Sequence, residues 1–409
     1  MKTNYKFILI LMLSFFASCI DDDIGIPEDE TATDDEQISL TIPVSTLSAQ
    51  QMEVQSYVKA RPIIGHRGTT EYGPENTAAT YQFARQVGAD YIQIDLQMSS
   101  DNFLVGFRND LDNHANISEL FPGFENAGVN HYTLEELKSM DVGSSYNNST
   151  YNRSGYIGLQ ILTLEEIINI CEGKLPDGTP DPADNGNRPG LYIRFYQPWL
   201  NVGMEEVLKA ELTRLGWYDD NLDNLRVIPT FPDKIGVANT RGRVFLGTLE
   251  KLSLLKLEEV FQGKIPLAFW LWKSSNYIKV DDAKTYSDFV NFGVNHGAQF
   301  ISPNTSTNDL LKVWQSNLIR RTNARIQGFT ISTKADLSQY TSNIQPESEG
   351  NIYQLEYNLT DGVITNRPQY ATFYYGVNIL PESDRIVPAP EFLDSGEIRD
   401  VFLNLGYQN

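Results

Sequence analysis

RPIIGHRGTTEYGPENTAATYQFARQVGADYIQIDLQ, residues 61–97, is the stretch that decides the fold. Two short runs rich in β-branched and aromatic residues, RPIIGHRG and YIQIDLQ, flank the helical pattern AATYQFARQVGA. The helix candidate begins after a threonine and finishes near a glycine, as helix capping prefers. A strand, a helix and a second strand in this order predict two parallel strands joined by a helix.

The same alternation continues along the chain. Further strand candidates are GLYIRFY, LRVIPTF, RVFLGTL, IPLAFWLW, AQFISP, RIQGFTIS and DGVIT. Helix candidates between them include TLEEIINICEG, MEEVLKAELTRLG, AKTYSDFVNFGVNHG and TNDLLKVWQSNLIRRT. Eight strands with intervening helices predict an α/β fold, a (β/α)8 TIM barrel. Nine candidates are present, so one is surplus, and we expect it to be RVFLGTL or IPLAFWLW.

The domain organisation follows from where the alternation of strand and helix candidates begins, is interrupted and ends. We place the barrel at residues 56–370. Residues 110–160 are polar and rich in Asn, Gly, Ser and Tyr, which predicts a long loop or small insertion after the second strand. That position is the C-terminal face, where the active sites of such barrels lie. Residues 371–409 are expected to form a C-terminal extension packed on the barrel.

The N-terminus predicts export and lipidation. Residues 1–19, MKTNYKFILILMLSFFASC, combine two lysines with a short apolar run and end in small residues before Cys19, as in a lipoprotein signal peptide with a lipobox. An ordinary signal peptide with an incidental cysteine is the alternative. Residues 20–55 are acidic and predict a disordered tether similar to the export tags of surface-displayed lipoproteins. We therefore expect a chain anchored by lipid to the bacterial outer membrane.

Charge and cysteine content exclude several classes of function. The chain has 32 Lys and Arg against 53 Asp and Glu, a net charge of −21, which argues against a nucleic-acid partner. Of the two cysteines, Cys19 is committed to lipid, so Cys171 has no partner for a disulfide within the chain. Two cysteines also exclude a thiolate zinc site. Membrane contact is expected through the N-terminal lipid only.

His66 and Arg67 are the first candidates for chemistry. They follow a predicted strand, which places a proton-transfer group beside a fixed cation. Arg67 could hold two phosphate oxygens at once while His66 moves a proton, as cleavage of a phosphodiester requires. The alternative is a hydrogen-bonded core histidine beside a surface arginine, because short motifs alone are weak.

Seven motifs in order strengthen the first interpretation. They are HRG, GPENTAATYQFARQVGADYIQIDLQMSSDN, YTLEELKSMDVGS, LQILTLEEI, GLYIRFY, IQGFTIS and DGVITNRP. From Arg61 to Pro368 they resemble the glycerophosphodiester phosphodiesterase family. The resemblance implies a TIM barrel similar to phosphatidylinositol-specific phospholipases C. It also implies hydrolysis of glycerophosphodiesters to an alcohol and glycerol 3-phosphate, with two histidines as acid and base and a divalent cation such as Ca or Mg.

Several matching positions depart from the family's pattern. His66 and Arg67 match the family's first histidine and arginine, and the turn at residues 74–77 matches its Pro-Glu-Asn-Thr, read mainly as the start of a helix. The metal-binding Glu-x-Asp pair is Gln93 and Asp95 here.

Two further positions also lack the metal-binding or catalytic residue of the family, and each holds an arginine. Arg194 stands where the family has its third metal-binding carboxylate, a glutamate, and Tyr196 stands where a lysine is expected two residues later. Arg108 stands where the family has its second catalytic histidine.

These replacements predict a dismantled metal site and no cofactor. Calcium and magnesium need several oxygen ligands, and one carboxylate beside a guanidinium would hold them poorly. Arg194 paired with Asp95 could stand in the cation's place. Arginine stays protonated, so Arg108 cannot act as a general base. We expect Arg67, Arg108 and Arg194 to converge on the phosphate or sulfate of a small ligand.

Three functions remain open from the sequence. The resemblance implies a phosphoric diester hydrolase of lipid metabolism, but the preferred interpretation is a metal-free pseudo-enzyme that binds a phosphorylated or sulfated ligand. The alternatives are an active metal-independent phosphodiesterase using His66 and the arginines, and a structural lipoprotein with an unused pocket. His114, six residues beyond Arg108, remains a candidate for the missing proton carrier.

Overall fold

Eight parallel strands close into a barrel, which confirms the predicted (β/α)8 TIM architecture. A computed structural model describes residues 30–108, 111–124, 127–272, 282–305, 311–341, 359–378 and 392–409. The strands are β1 (Ile63–Gly65), β2 (Tyr91–Met98), β3 (Leu104–Gly106), β4 (Leu162–Thr163), β5 (Gly190–Phe195), β6 (Val244–Thr248), β7 (Leu267–Leu271), β8 (Phe300–Pro303), β9 (Arg325–Phe329) and β10 (Gly362–Thr365). Around the barrel the order is β1, β2, β5, β6, β7, β8, β9 and β10, and β10 pairs back with β1.

Helices follow most barrel strands and surround them. They are α1 (Glu30–Thr41), α2 (Ala49–Ser56), α3 (Ala78–Gln86), α4 (Leu111–His114), α5 (Ile117–Leu120), α6 (Leu134–Ser139), α7 (Leu164–Cys171), α8 (Met204–Arg214), α9 (Lys251–Phe261), α10 (Ala283–Asn295), α11 (Val313–Arg320), α12 (Lys334–Thr341), α13 (Pro368–Asn378) and α14 (Ser395–Asn404). Each helix candidate quoted from the sequence contains one of them.

The surplus strand candidate is LRVIPTF, residues 225–231, so the expectation that RVFLGTL or IPLAFWLW was surplus is wrong. Both of those runs are barrel strands, β6 and β7. Residues 225–231 adopt no regular structure, and Val227 is 78% exposed. Pro229 lacks the backbone donor that an interior strand needs, which favours a surface connection.

The alternation along β2 separates two cores. Ile92, Ile94 and Leu96 point outward and pack in the large cluster beneath the surrounding helices. Tyr91 points inward to a second cluster, which fills the barrel together with Tyr192, Phe245, Trp270 and Phe300. Successive residues of a strand face opposite sides, so the polar residues at positions 93, 95 and 97 also face the interior.

The segment after β2 is a small insertion with its own core. Strand β3 pairs antiparallel with β2, and β4 pairs antiparallel with β3, so the two extend the sheet beyond the barrel. Helices α4, α5 and α6 lie between β3 and β4 in the chain. A separate cluster buries Val105, Phe107, Leu111, Ile117 and Leu137. The insertion predicted at residues 110–160 is therefore folded in its described part.

The predicted disordered tether is wrong for residues 30–55. They include α1 and α2, and Leu47 joins the main core. The amide of Gln55 donates to the backbone carbonyls of Gln299 (2.9 Å) and Asn323 (3.0 Å), beside the amino ends of β8 and β9. The acidic composition of this segment predicted disorder because a composition does not reveal the few apolar and amide contacts that single residues make with the barrel.

Residues 1–29 lie outside the described part of the chain, and with them Cys19 and the signal peptide. Among the described residues, none of the helices has the length and apolar character needed to cross a bilayer.

The C-terminal boundary predicted at residue 370 cuts α13, the helix that follows β10. Residues 379–391 are outside the described part. In residues 392–409, the Phe402 ring stacks on Phe83 of α3 at 4.7 Å between centroids, on the outside of the barrel.

Candidate functional site

The predicted site residues lie at the carboxyl ends of neighbouring barrel strands. His66 follows β1 directly, Asp95 lies in β2, and Arg194 lies in β5. Arg108 follows β3, at the base of the insertion. Because parallel strands end at the same face of a barrel, these residues are brought to one mouth.

The turn after β1 positions Arg67. Its φ of 50° and the φ of 80° at Gly68 are both left-handed. A Cβ at Gly68 would lie 2.5 Å from the backbone of Thr80, so only glycine fits there. The Arg67 amide donates to Oε1 of Gln93 at 3.0 Å, which ties the turn to β2.

Asp95 is held between two guanidinium groups. Its Oδ2 lies 2.7 Å from Nε of Arg67, and its Oδ1 lies 2.6 Å from Nε of Arg194. The amide of Gln93 also donates to Oδ1, at 3.0 Å. Burial by itself would raise the pKa of Asp95, but Arg194 and Arg67 outweigh it and hold that pKa well below its usual value. The carboxylate is therefore ionised at neutral pH.

Glu75 extends the ion pairs towards the insertion. Its Oε2 accepts from Nη1 of Arg67 at 2.7 Å, and its Oε1 lies 2.8 Å from Nε of Arg108. The chain of contacts thus runs from Arg194 through Asp95, Arg67 and Glu75 to Arg108. Three guanidiniums face two carboxylates, which leaves one positive charge in excess.

The three arginines differ in how far a ligand can reach them. The Arg108 side chain is 21% exposed and that of Arg67 is 10% exposed, whereas that of Arg194 is 1% exposed. The Arg194 guanidinium lies 5.2 Å from the ring centre of Tyr196 and 5.1 Å from that of Trp270. Arg67 and Arg108 are thus the guanidiniums of this cluster that a molecule from solvent could reach, whereas Arg194 is buried against Asp95.

His66 is neutral, and its two ring nitrogens differ in their surroundings. Its Nδ1 lies 2.7 Å from Oδ1 of Asn366, an oxygen that can only accept, so Nδ1 carries the proton. Burial, followed by the charges of Arg67 and Arg194, holds the pKa of His66 well below 6.5. Its Nε2 is buried and has no hydrogen-bond partner among the described residues. This tautomer can accept a proton or a hydrogen bond at Nε2.

His114 folds back to the site. Its Nε2 lies 2.8 Å from Nη2 of Arg108 and 3.8 Å from Oε1 of Glu75. Arg108 occupies the position where the family has its second histidine. His114, at the end of α4 in the insertion, therefore places an imidazole beside that position.

The donor set does not fit a divalent cation. Both oxygens of Asp95 already face guanidiniums, and Gln93 turns its amide nitrogen towards Asp95. A calcium or magnesium ion would meet the positive charge of Arg194 where it needs oxygen ligands. Across the described ranges, no group of three or more His, Cys, Asp or Glu side chains is arranged to hold a metal.

Three site residues were not identified from the sequence. Glu75 was read as the start of a helix, although a carboxylate in a loop after a barrel strand is a candidate for the site. Asn366 follows β10 directly, as His66 follows β1, and that position was its only signal. Trp270 faces Arg194 from the barrel interior, and its indole donates to Tyr192 Oη at 2.6 Å.

Comparison with known sequences identifies related proteins. The sequence model of the Glycerophosphoryl diester phosphodiesterase family matches residues 66–177. A glycerophosphodiester phosphodiesterase of Bacillus subtilis (strain 168) is 24% identical over 277 residues, 67% of this chain and 78% of the relative. The putative glycerophosphodiester phosphodiesterase YhdW of the same organism is 37% identical over 161 residues, 39% of this chain and 55% of the relative. The chain thus spans about half the length of this second relative.

Solved structures share the fold. A putative glycerophosphoryl diester phosphodiesterase from Silicibacter pomeroyi superposes with a TM-score of 0.53 at 14% identity, covering 88% of this chain and 99% of that one. A phosphodiesterase from Oleispira antarctica, in complex with the product sn-glycerol-3-phosphate, gives a TM-score of 0.50 at 19% identity, covering 78% and 97%.

Proposed function

The chain belongs to the glycerophosphodiester phosphodiesterase family, and we propose that it binds a phosphate- or sulfate-bearing ligand without the metal-assisted hydrolysis of that family. The sequence similarity to this family supports a pocket shaped for phosphate esters. The replacements at positions 93, 108 and 194 argue for a changed use of that pocket.

The double pairing of Asp95 carries the proposal. A metal-binding carboxylate must offer free lone pairs, whereas each oxygen of Asp95 lies within 2.7 Å of a guanidinium nitrogen. The Arg194 charge substitutes for the positive charge of a cation but supplies no open position for water or substrate. The arrangement favours holding an anion over activating a nucleophile.

Arg67 and Arg108 supply the donors for the ligand. Both already contact Glu75, so an incoming phosphate must share their guanidiniums with this carboxylate. The one excess positive charge of the cluster favours an anionic ligand over a neutral one. Charge-assisted hydrogen bonds from arginine to phosphate contribute about 1.5–3 kcal/mol each when shielded from water.

The test measures binding and turnover on the same protein. Calorimetric titration with inorganic phosphate, sulfate and glycerol 3-phosphate should show saturable binding, and glycerol serves as the uncharged control. Incubation with glycerophosphocholine, with and without calcium, should release no choline. Robust turnover that disappears in His66→Ala would overturn the binding proposal.

The position of His114 favours a second candidate, a metal-independent phosphodiesterase. His66 Nε2 would take the proton of the attacking water, and His114 would give a proton to the departing alkoxide while the arginines bind the phosphoryl oxygens. This candidate predicts turnover that resists chelators and is lost in both His66→Ala and His114→Gln. Turnover that persists in His114→Gln would exclude His114 as the acid.

We also propose export and lipid anchoring through Cys19. The signal peptide and lipobox pattern of residues 1–19 supports this placement. Mass spectrometry of the full chain expressed in a bacterium should find an acylated Cys19 in the membrane fraction, and Cys19→Ser should remove the lipid. An intact, unacylated N-terminus in the wild type would contradict the proposal.

A further inference from the structure

We propose that an apolar groove beside the barrel mouth receives the organic group of the ligand, which makes the ligand an amphiphilic phosphate or sulfate ester. This inference rests on the proposed anion site and adds the class of molecule that would bind there.

The groove is formed by the segments that follow β5 and β6 and by the first turns of α8 and α9. It has a volume of about 640 Å³. Three of its apolar side chains are unusually exposed: Trp199 at 59%, Val202 at 91% and Leu252 at 80%. Phe289 of α10 closes its far side, with the Lys251 ammonium 4.2 Å from the ring centre.

The groove is connected to the anion site through Gln97. This residue lies two positions after Asp95 in β2, on the same inward face, so the two are about 7 Å apart along the strand. Its amide nitrogen donates to the carbonyl of Tyr196, and its Oε1 accepts from Nδ2 of Asn201 at 2.8 Å. Asn201 lines the groove itself.

The wall of the groove thus lies one side chain away from the strand that carries Asp95. A ligand that occupies both sites must direct its ester oxygen from Arg67 and Arg108 towards this side of the barrel mouth, so that its alkyl or aryl group lies along the protein surface in the groove.

The lining favours such a group over other occupants. Trp199, Val202 and Leu252 expose apolar area that water solvates poorly, and a flexible chain of methylenes can cover all three. The charged residues of the lining carry both signs, Glu205 and Glu250 against Lys251 and Lys256. A lining without one dominant charge, beside exposed apolar side chains, suits an uncharged chain that continues from an anionic head.

A series of phosphate monoesters tests the inference. Inorganic phosphate, methyl phosphate and hexyl phosphate are titrated by calorimetry, each below its micelle-forming concentration. Burial of one methylene corresponds to a gain of about threefold to fourfold in affinity. We expect hexyl phosphate to bind at least about tenfold more tightly than methyl phosphate, because partial burial of five added methylenes suffices for that gain.

Variants assign the gain to the groove. Trp199→Ala and Leu252→Ser should abolish the preference for hexyl phosphate while leaving the affinity for inorganic phosphate within about twofold. Val227→Ser is the matched control, because this valine is 78% exposed but lies in the connection that leads into β6, away from the groove. Thermal unfolding verifies that each variant is folded.

The outcomes separate the two proposals. Equal affinities for methyl and hexyl phosphate would overturn the groove inference and leave the anion site intact. Absence of binding by inorganic phosphate would overturn the proposed function. Co-sedimentation with neutral phosphatidylcholine vesicles that Trp199→Ala abolishes, without any preference for hexyl phosphate, would identify a bilayer surface and overturn the inference.

Discussion

Two of the buried arginine–carboxylate clusters among the described residues lie at opposite ends of the barrel strands, and they differ in charge balance. At the amino end of the strands, Arg85 pairs with Asp181, and their side chains are 0% and 2% exposed. Arg85 also donates to the carbonyl of Ile170 at 3.0 Å, and Asp181 accepts from the amide of Ala183 at 2.8 Å. One cation there meets one anion, and protein groups surround both.

The cluster at the mouth is open by comparison. It holds three guanidiniums against two carboxylates, and the edges of Arg67 and Arg108 are reachable from solvent. His66 Nε2 beside it is buried, and the described part of the chain gives it no hydrogen-bond partner. A balanced, enclosed cluster stabilises the fold, whereas a cluster with excess positive charge that solvent can reach is suited to an anionic ligand.

The largest expected effect is on stability, at the balanced cluster. Arg85→Ala leaves Asp181 buried and unpaired, which costs about 3–5 kcal/mol of unfolding free energy. Urea denaturation followed by circular dichroism measures the loss. The remaining folded protein should still bind phosphate with the wild-type affinity. A loss of unfolding free energy below about 1 kcal/mol would show that the Arg85–Asp181 pair does not stabilise the fold. The proposed difference between the two clusters would then not hold.

The next effect is on ligand affinity, at the open cluster. Arg108→Ala should weaken phosphate binding by about ten- to a hundredfold, because it removes one charge-assisted donor worth about 1.5–3 kcal/mol. Stability should change by less than about 1 kcal/mol, since the side chain is partly exposed. Calorimetry and urea denaturation are run on the same samples.

Arg241→Ala is the control for Arg108→Ala. This arginine also forms an ion pair, with Asp223, but it lies on the surface and its side chain is 46% exposed. An equal loss of phosphate affinity in both variants would show that net charge, not the site, governs binding.

A smaller effect is the pH dependence of stability. The folded-state pKa of His66 lies below 6.5, so the unfolded chain binds a proton that the folded chain does not. The stabilisation is fully present above pH 6.5 and is lost as the pH falls towards the folded pKa, with a slope of at most about 1.4 kcal/mol per pH unit. The lowered pKa of Asp95 also makes the folded state less stable as the pH falls, but this loss occurs only below the ordinary pKa of 3.8.

Urea denaturation between pH 7 and about pH 4.5 measures this slope, and the range is chosen to separate the His66 window from that of Asp95. The slope should decrease in His66→Gln and persist in His131→Gln, which removes an exposed histidine far from the cluster in the chain. Identical curves for the wild type and His66→Gln would contradict the neutral, buried histidine.

The smallest expected effect is that of metal ions. Calcium or magnesium should leave the thermal unfolding midpoint of the wild type unchanged, because Arg194 lies where the cation needs ligands. Gln93→Glu combined with Arg194→Glu should introduce a saturable metal-dependent rise, and adding Arg108→His should restore a trace of phosphodiesterase activity. A rise in the wild type at sub-millimolar metal would break the distinction between this cluster and a metal centre.

Local patterns in the sequence determined much of the fold and part of the site. The two-residue alternation of β2 predicted that Gln93 and Asp95 share a face, and the strand that ends at His66 predicted its place at the barrel mouth. These predictions are reliable because the direction of a side chain depends on its own strand. The order of strands and helices likewise predicted the closed barrel.

Tertiary structure alone decided which residues meet. The register that sets Asp95 beside Arg194 joins residues 99 positions apart, and no local pattern specifies it. Glu75 reached the site because the turn at Arg67 carries it there, and α1 and α2 are ordered because distant carbonyls accept from Gln55. Such contacts form only when closure of the barrel has met the entropy cost of long loops, so their partners cannot be deduced from neighbouring residues in the chain.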